Sequence, residues 1–183
     1  MRCAGWQVTD LAGHLAGASR GQAEGLRRAA AGVIEPAALV APADRDPRSL
    51  MAALKDGRDR LLSALAAMAE PPPDALPGAV PLPFGLLPVA VALQIVPLEY
   101  GFHHNDLEWA LGNQADLSQN IAATLLGIVP GLLPMLAAGS PVHSPGARPA
   151  EPVSFRLASP GGRFLASHDG SAWSVAPDDG NAR

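Results

Sequence analysis

Between Ala75 and Leu98 the chain carries no charged residue, and five prolines interrupt that span: Pro77, Pro81, Pro83, Pro88 and Pro97. The length is sufficient to cross a bilayer. Each interior proline, however, removes a backbone donor that a spanning helix would need. The segment therefore reads as a buried loop leading into a core helix, and no membrane partner is expected. The charge pattern then reverses. The stretch "LEYGFHHNDLEWALG", Leu98 to Gly112, places Glu99, His103, His104 and Asp106 within two helical turns.

On either side the apolar spacing is helical. Val8, Leu11, Leu15 and Ala18 predict a helix over Val8–Ala31, with Asp10 in the first turn, where the helix dipole favours an anion. Pro36, Pro42 and Pro47 mark a loop. A second helix is expected over Ser49–Ala69, with Met51, Leu54, Leu61, Leu65 and Met68 as its apolar stripe. Arg58 falls on that stripe. It reads either as a stem packed at the edge with its head in water or as a cation directed at an anionic ligand or cofactor. A third helix should begin between Leu86 and Pro97, kinked near Leu93 if it starts early, and end at Gly112 as a C′ glycine. A fourth is expected over about Leu117–Ala138, bent or broken by Pro130 and Pro134.

After a Pro/Gly-rich linker at 140–152 the period changes to two. "VSFRLAS", "RFLASH" and "AWSVA" predict a short antiparallel meander within 153–183. The whole is mainly α, a helical domain over 1–139 with a small β appendage. With 48% hydrophobic and 16% charged residues, it has enough apolar side chain to bury a core. A net charge of −4 without any basic run excludes a nucleic-acid partner on electrostatic grounds. The single cysteine, Cys3, forms no internal disulfide, and no apolar leader is visible; both suit the cytoplasm.

Glu99 and His103 are four apart, so a helix sets them on one face, one turn from each other. His104 is turned about 100° away. Asp106, three beyond His103, is placed to accept a hydrogen bond from a ligating imidazole and fix its tautomer. His14, beside the Leu11–Leu15 stripe, would complete a site of two histidines and one carboxylate if the first helix packs antiparallel on the third. Such a set leaves coordination positions open, as catalytic zinc sites do. On the residues alone, ordinary hydrogen-bonded edge side chains remain the alternative. His143 and His168 read as solvated.

The segments "CAGWQVTDLAGHLAG", "PFG" and "LEYGFHHNDLEWALG" together resemble the mycothiol-dependent maleylpyruvate isomerase family of actinobacteria, itself similar to DinB-like metal-binding four-helix bundles. The residues that carry the likeness are Trp6, Val8, Asp10, Leu11, His14, Leu15, Glu99, His103, Asp106 and Leu107. The resemblance spans roughly residues 3 to 138, and the tail looks like the start of a sterol-carrier-like domain. It implies a divalent metal, usually zinc, held by His14, Glu99 and His103. It also implies mycothiol as thiol cosubstrate, with a small electrophile as the second substrate. The thiolate would add to a cis double bond and leave once rotation had given the trans product.

Against that family pattern the chain opens inside the region of the first helix. One wall of the bundle is thus expected to be missing, its groove covered by a second copy in a homodimer. Gln7 stands where a Ser or Thr cap is common, predicting a weaker helix start. A non-catalytic metal-binding or protein-interaction module of the same fold is the alternative function. A mis-started product without activity of its own is a third.

Overall fold

The computed structural model describes residues 5–36, 38, 42, 44–113, 116–125, 127–128, 152–159, 162–170 and 173–178. They fall into two units, Met1–Leu117 and Ser118–Arg183. The fold is mainly helical, with a small antiparallel sheet of three strands near the C-terminus.

The first unit is built on α1 (Val8–Ala30), α2 (Pro47–Ala69) and α3 (Val89–Ala110). Local chemistry sets their ends. The backbone N–H of Gln7 donates to the Asp10 carboxylate at 2.8 Å, one half of a capping box in which the Gln7 side chain stands where a Ser or Thr would and takes the Asp10 N–H. Asp46 caps α2, accepting from the N–H groups of Arg48 and Ser49, with Pro47 as the first helical residue. This is why α2 begins two residues before the expected Ser49. At the other ends, Gly32 (φ +71°) and Gly112 (φ +82°) take the left-handed conformation. Val33 N–H then reaches Arg28 C=O, and Asn113 N–H reaches Glu108 C=O, each at 2.9 Å. Arg27 and Arg28 lie in the last turn of α1, where the dipole favours cations.

α1 packs chiefly on α2. The buried face of α2 is Leu50, Ala53, Gly57, Leu61 and Met68. That corrects the expected stripe: Met51 is 66% exposed whereas Leu50 is 2% exposed, and Arg58 points outward. The face is rotated because the contact is made by small residues. A Cβ on Gly57 would stand 3.0 Å from Ser19 Cβ and 3.1 Å from Ala16 O. A search for large apolar side chains passes over such a contact. Val8 is likewise exposed, while Leu11, Leu15, Ala16 and Leu26 fill the core side of α1.

The proline-rich run before α3 is not a loop throughout. Ala79–Leu82 (β1) and Gly85–Pro88 (β2) form an antiparallel hairpin, paired from Ala79↔Pro88 to Leu82↔Gly85. Prolines are tolerated because a two-stranded ribbon has edges whose donors pair with nothing. Val80, Pro81 and Leu82 are buried, and β1 packs on α1 at Gly25, where a Cβ would come within 2.8 Å of Pro81 O. α3 continues through Pro97, which sits on an exposed position. Among the described residues no helix is long and apolar enough to cross a membrane.

In the second unit, residues 119–125 are helical. Of the expected fourth helix, residue 126 and residues 129–138, with Pro130 and Pro134, lie outside the described residues, as do Cys3, His143 and the linker up to 151. β3 (Val153–Ser159), β4 (Gly162–His168) and β5 (Trp173–Pro177) pair in the order β3-β4-β5, antiparallel throughout, as the period-two pattern predicts. The register runs from Val153↔His168 to Ser159↔Gly162, and from Phe164↔Pro177 to His168↔Trp173. His168 is 3% exposed, so it is not the solvated residue expected; its Nδ1 accepts from Gly170 N–H at 3.1 Å.

Candidate metal centre

α1 and α3 bring His14, Glu99 and His103 together, with one ligand atom from each lying within 4.8 Å of the others. His14 Nε2 is 2.5 Å from Glu99 Oε1, and His103 Nε2 is 3.6 Å from the same oxygen. The imidazoles meet edge to face, their centroids 4.9 Å apart. Both Nε2 atoms converge on one carboxylate oxygen, and all three side chains are partly buried.

The far side of His103 is fixed by Asp106, whose Oδ2 lies 3.0 Å from Nδ1. A carboxylate there accepts the Nδ1 proton and leaves the Nε2 lone pair directed at the centre. Asp106 is itself buried. His104 stands apart, exposed and 3.7 Å from Glu108.

Burial by itself would raise the Glu99 carboxyl. The His103 ring 3.6 Å away and the hydrogen bond with His14, with the charge of both rings, outweigh it and hold Glu99 at about 2. The Glu99 carboxylate raises His103 above its ordinary value against the opposing effect of burial, and Asp106 adds to the rise. The carboxylate is thus ionised and ready to ligate across the neutral range.

Two further residues hold the geometry. Ser19 donates its hydroxyl to Leu15 C=O at 2.5 Å, so the short contact between Ser19 Oγ and Tyr100 must be donated by the tyrosine. That bond ties α3 to α1 beside Glu99. Trp6, just before α1, stacks near-parallel to His103 at 6.3 Å and lies edge-on to His14 at 5.3 Å. The motif pointed to Trp6 but not to this role. Tyr100 is the chain's single tyrosine, and that rarity beside Glu99 was the available signal.

The donor set fits a divalent ion. Two donors on one tetrahedral zinc stand roughly 3.3 Å apart, given bond lengths of about 2.0–2.1 Å. The His103–Glu99 separation of 3.6 Å is near that value, while the His14–Glu99 contact of 2.5 Å is a hydrogen bond that must open to admit an ion.

Space adjoins the triad on two sides. A cleft of about 410 Å³ is lined by Trp6, Asp10, Gly13, His14, Gly17 and Arg45. A second cavity, about 230 Å³, runs along α1 from His14 and Glu99 to the hairpin turn. A further cavity, about 740 Å³, contains none of the triad; of the charges that line it, Arg20 and Arg60 pair with Asp56, and Arg27 with Glu24. Arg58 is held by its neighbour Asp59 at 2.7 Å. The cation lining the His14 cleft is Arg45, bound to Asp10 at 2.8 Å. It lies in a proline-rich loop whose path periodicity does not reveal.

A family model described as the mycothiol maleylpyruvate isomerase N-terminal domain matches residues 1–108, a range that contains all three triad residues and Asp106. No curated protein and no solved structure matches the chain.

Proposed function

The chain belongs to the mycothiol maleylpyruvate isomerase N-terminal domain family, and on that premise we propose that it is a metal-dependent, mycothiol-using isomerase or S-transferase whose ion is held by His14, Glu99 and His103. The observation that carries this reading is the convergence of two imidazole nitrogens and one carboxylate oxygen, from helices 85 positions apart in sequence, within 4.8 Å. Two histidines and a carboxylate leave coordination positions open, the pattern of a catalytic site. Bound there, zinc or a similar ion would lower the pKa of a thiol, so that it serves as a thiolate nucleophile at neutral pH.

The chain's own residues do the rest. Asp106 keeps His103 in the tautomer that offers Nε2 to the centre. Glu99 stays ionised and supplies the negative charge. Trp6 walls the two imidazoles. The cleft and the cavity beside His14 offer separate approaches for a thiol and an electrophile. In the isomerase version the sulfur bonds to one carbon of a cis double bond and the π pair moves onto the adjacent carbonyl. Rotation follows about what is now a single bond. The S–C bond then breaks, and the thiol is returned with the trans product.

Metal analysis combined with thiol titration tests this. Protein purified without chelator should carry close to one divalent ion per chain and bind mycothiol only when loaded. Metal-free protein after incubation with zinc, or mycothiol binding that chelation leaves unchanged, would overturn it.

A further inference from the structure

Arg45 is anchored in the cleft beside His14 through one nitrogen of its guanidinium. Nη1 donates to Asp10 Oδ1 at 2.8 Å and to Thr9 C=O at 3.5 Å, while Nε and Nη2 have no partner among the described residues. Asp10 is itself pinned, its Oδ2 accepting from Gln7 N–H at 2.8 Å. The backbone around Arg45 is fixed as well: Asp44 Oδ1 accepts from Asp46 N–H at 2.9 Å, and Asp46 caps α2. A cation held in this way loses little freedom when a ligand pairs with it.

Nε–H and one N–H of Nη2 point the same way on the planar guanidinium, forming the fork that a carboxylate fills with two parallel hydrogen bonds. With the side chain 57% exposed, the unpartnered fork is open to a ligand. Nη1 stands 3.5 Å from where a Cβ on Gly13 would be, and Asp10, Gly13 and His14 line the same cleft as Arg45. Asp10 and His14 are four apart on α1, so the anchored guanidinium stands one turn from the imidazole, roughly 6 Å along the axis. A small acid spans that distance.

We propose that Arg45 is a specificity residue whose Nε–Nη2 fork holds a carboxylate of the electrophile while the sulfur bonds to it beside His14. The assignment rests on reading the triad as a thiol-activating metal site, and it gives the Arg45 cleft to the electrophile. A substrate without that carboxylate forfeits the paired hydrogen bonds and the orientation they impose.

The test compares the full chain loaded with zinc in three forms: wild type, Arg45→Gln and Arg45→Lys. Each is titrated calorimetrically with 3-mercaptopropionate and with 3-mercaptopropanamide, which match in size and differ in charge. The propionate carries together the sulfur and the carboxylate that the adduct of a thiol with an unsaturated acid would present. Wild type should bind it about five- to tenfold more tightly than the amide. Arg45→Gln should lose that preference while retaining zinc, and Arg45→Lys, a point charge without a fork, should keep only part of it. Equal or weaker binding of the carboxylate by wild type, as expected of a solvated surface arginine, overturns the Arg45 assignment and leaves the metal–thiol reading standing. So does a preference that Arg45→Gln keeps, which would put the carboxylate on the zinc, or one that Arg45→Lys keeps in full. If neither thiol binds the loaded wild type, the metal–thiol reading fails and this assignment fails with it. Loss of zinc from Arg45→Gln would mark Arg45 as a structural residue and overturn the proposal as well.

Discussion

His14 and Glu99, 85 positions apart, meet side chain to side chain at 2.5 Å. The contact joins α1 to α3, and the same Glu99 oxygen faces His103 one turn along. This hydrogen bond holds the three donors together, and a cation bound by them would replace its proton with coordination, which bears on how the site should respond to mutation and to pH.

His14→Ala, Glu99→Ala and His103→Ala should each abolish stoichiometric metal retention, since each leaves only two protein ligands where zinc sites use at least three. Metal content after gel filtration, alongside wild type, checks this. Full occupancy in any of the three variants would remove that residue from the ligand set.

Asp106→Asn should leave the ligands in place but weaken zinc affinity about 10- to 100-fold, because the carboxylate that orients His103 and raises its basicity is lost. Competition with a chromogenic chelator measures it. Unchanged affinity would mean that the 3.0 Å contact contributes to the fold and not to the site.

Zinc affinity should rise with pH and level off once His103 has lost its proton. The sign follows from the shifts. His103 is raised in the metal-free fold, so the stability it contributes is complete below the ordinary histidine value and fades as pH rises through its folded pKa. Glu99, held at about 2, contributes stability above its ordinary value, lost only as pH falls through about 2. The metal-free protein is therefore favoured in mild acid, where zinc must displace a proton from His103. The zinc-induced rise in melting temperature should accordingly be larger at pH 8 than at pH 6. A pH-independent rise would contradict it.

Tyr100→Phe removes the hydroxyl that Tyr100 donates to Ser19. The expected loss is about 1 kcal/mol of stability, with a modest fall in zinc affinity as α3 loosens against α1. Denaturant titration with and without zinc separates the two effects.

Gly25→Ala tests the seat of the hairpin. The added Cβ would lie 2.8 Å from Pro81 O, a backbone atom that cannot swing aside. Overpacking of this kind costs about 1–3 kcal/mol, against a helix-propensity gain of up to about 1 kcal/mol. A net loss near 1 kcal/mol is expected in urea unfolding, and a gain would mean that β1 is free to shift.

What could be read from the chain order alone was local. Gly112 and the acid at Asp10 mark helix ends through interactions spanning a few residues, so they are legible without a fold; Asp46, Pro47 and Gly32 act just as locally, but Pro47 reads as part of the preceding loop until the cap is seen. The i, i+4 spacing of Glu99 and His103 and the period-two alternation after Val153 are local in the same sense. His14 could be named as a third donor from its place beside the Leu11–Leu15 stripe, and the family resemblance, carried by short motifs, implied the same three residues. Tertiary packing decided the rest. α2 turned Gly57 and not Met51 toward α1, because a close helix approach is made by residues that have almost no side chain and so give no hydrophobic signal. Prolines hid the β1–β2 hairpin, since their local preference disfavours a strand that burial of Val80 and Leu82 nevertheless stabilises. Trp6, Tyr100 and Arg45 acquired their places around the triad only when separate segments crossed. Contact between distant segments depends on which faces pack and how closely, and no short window of sequence contains that information.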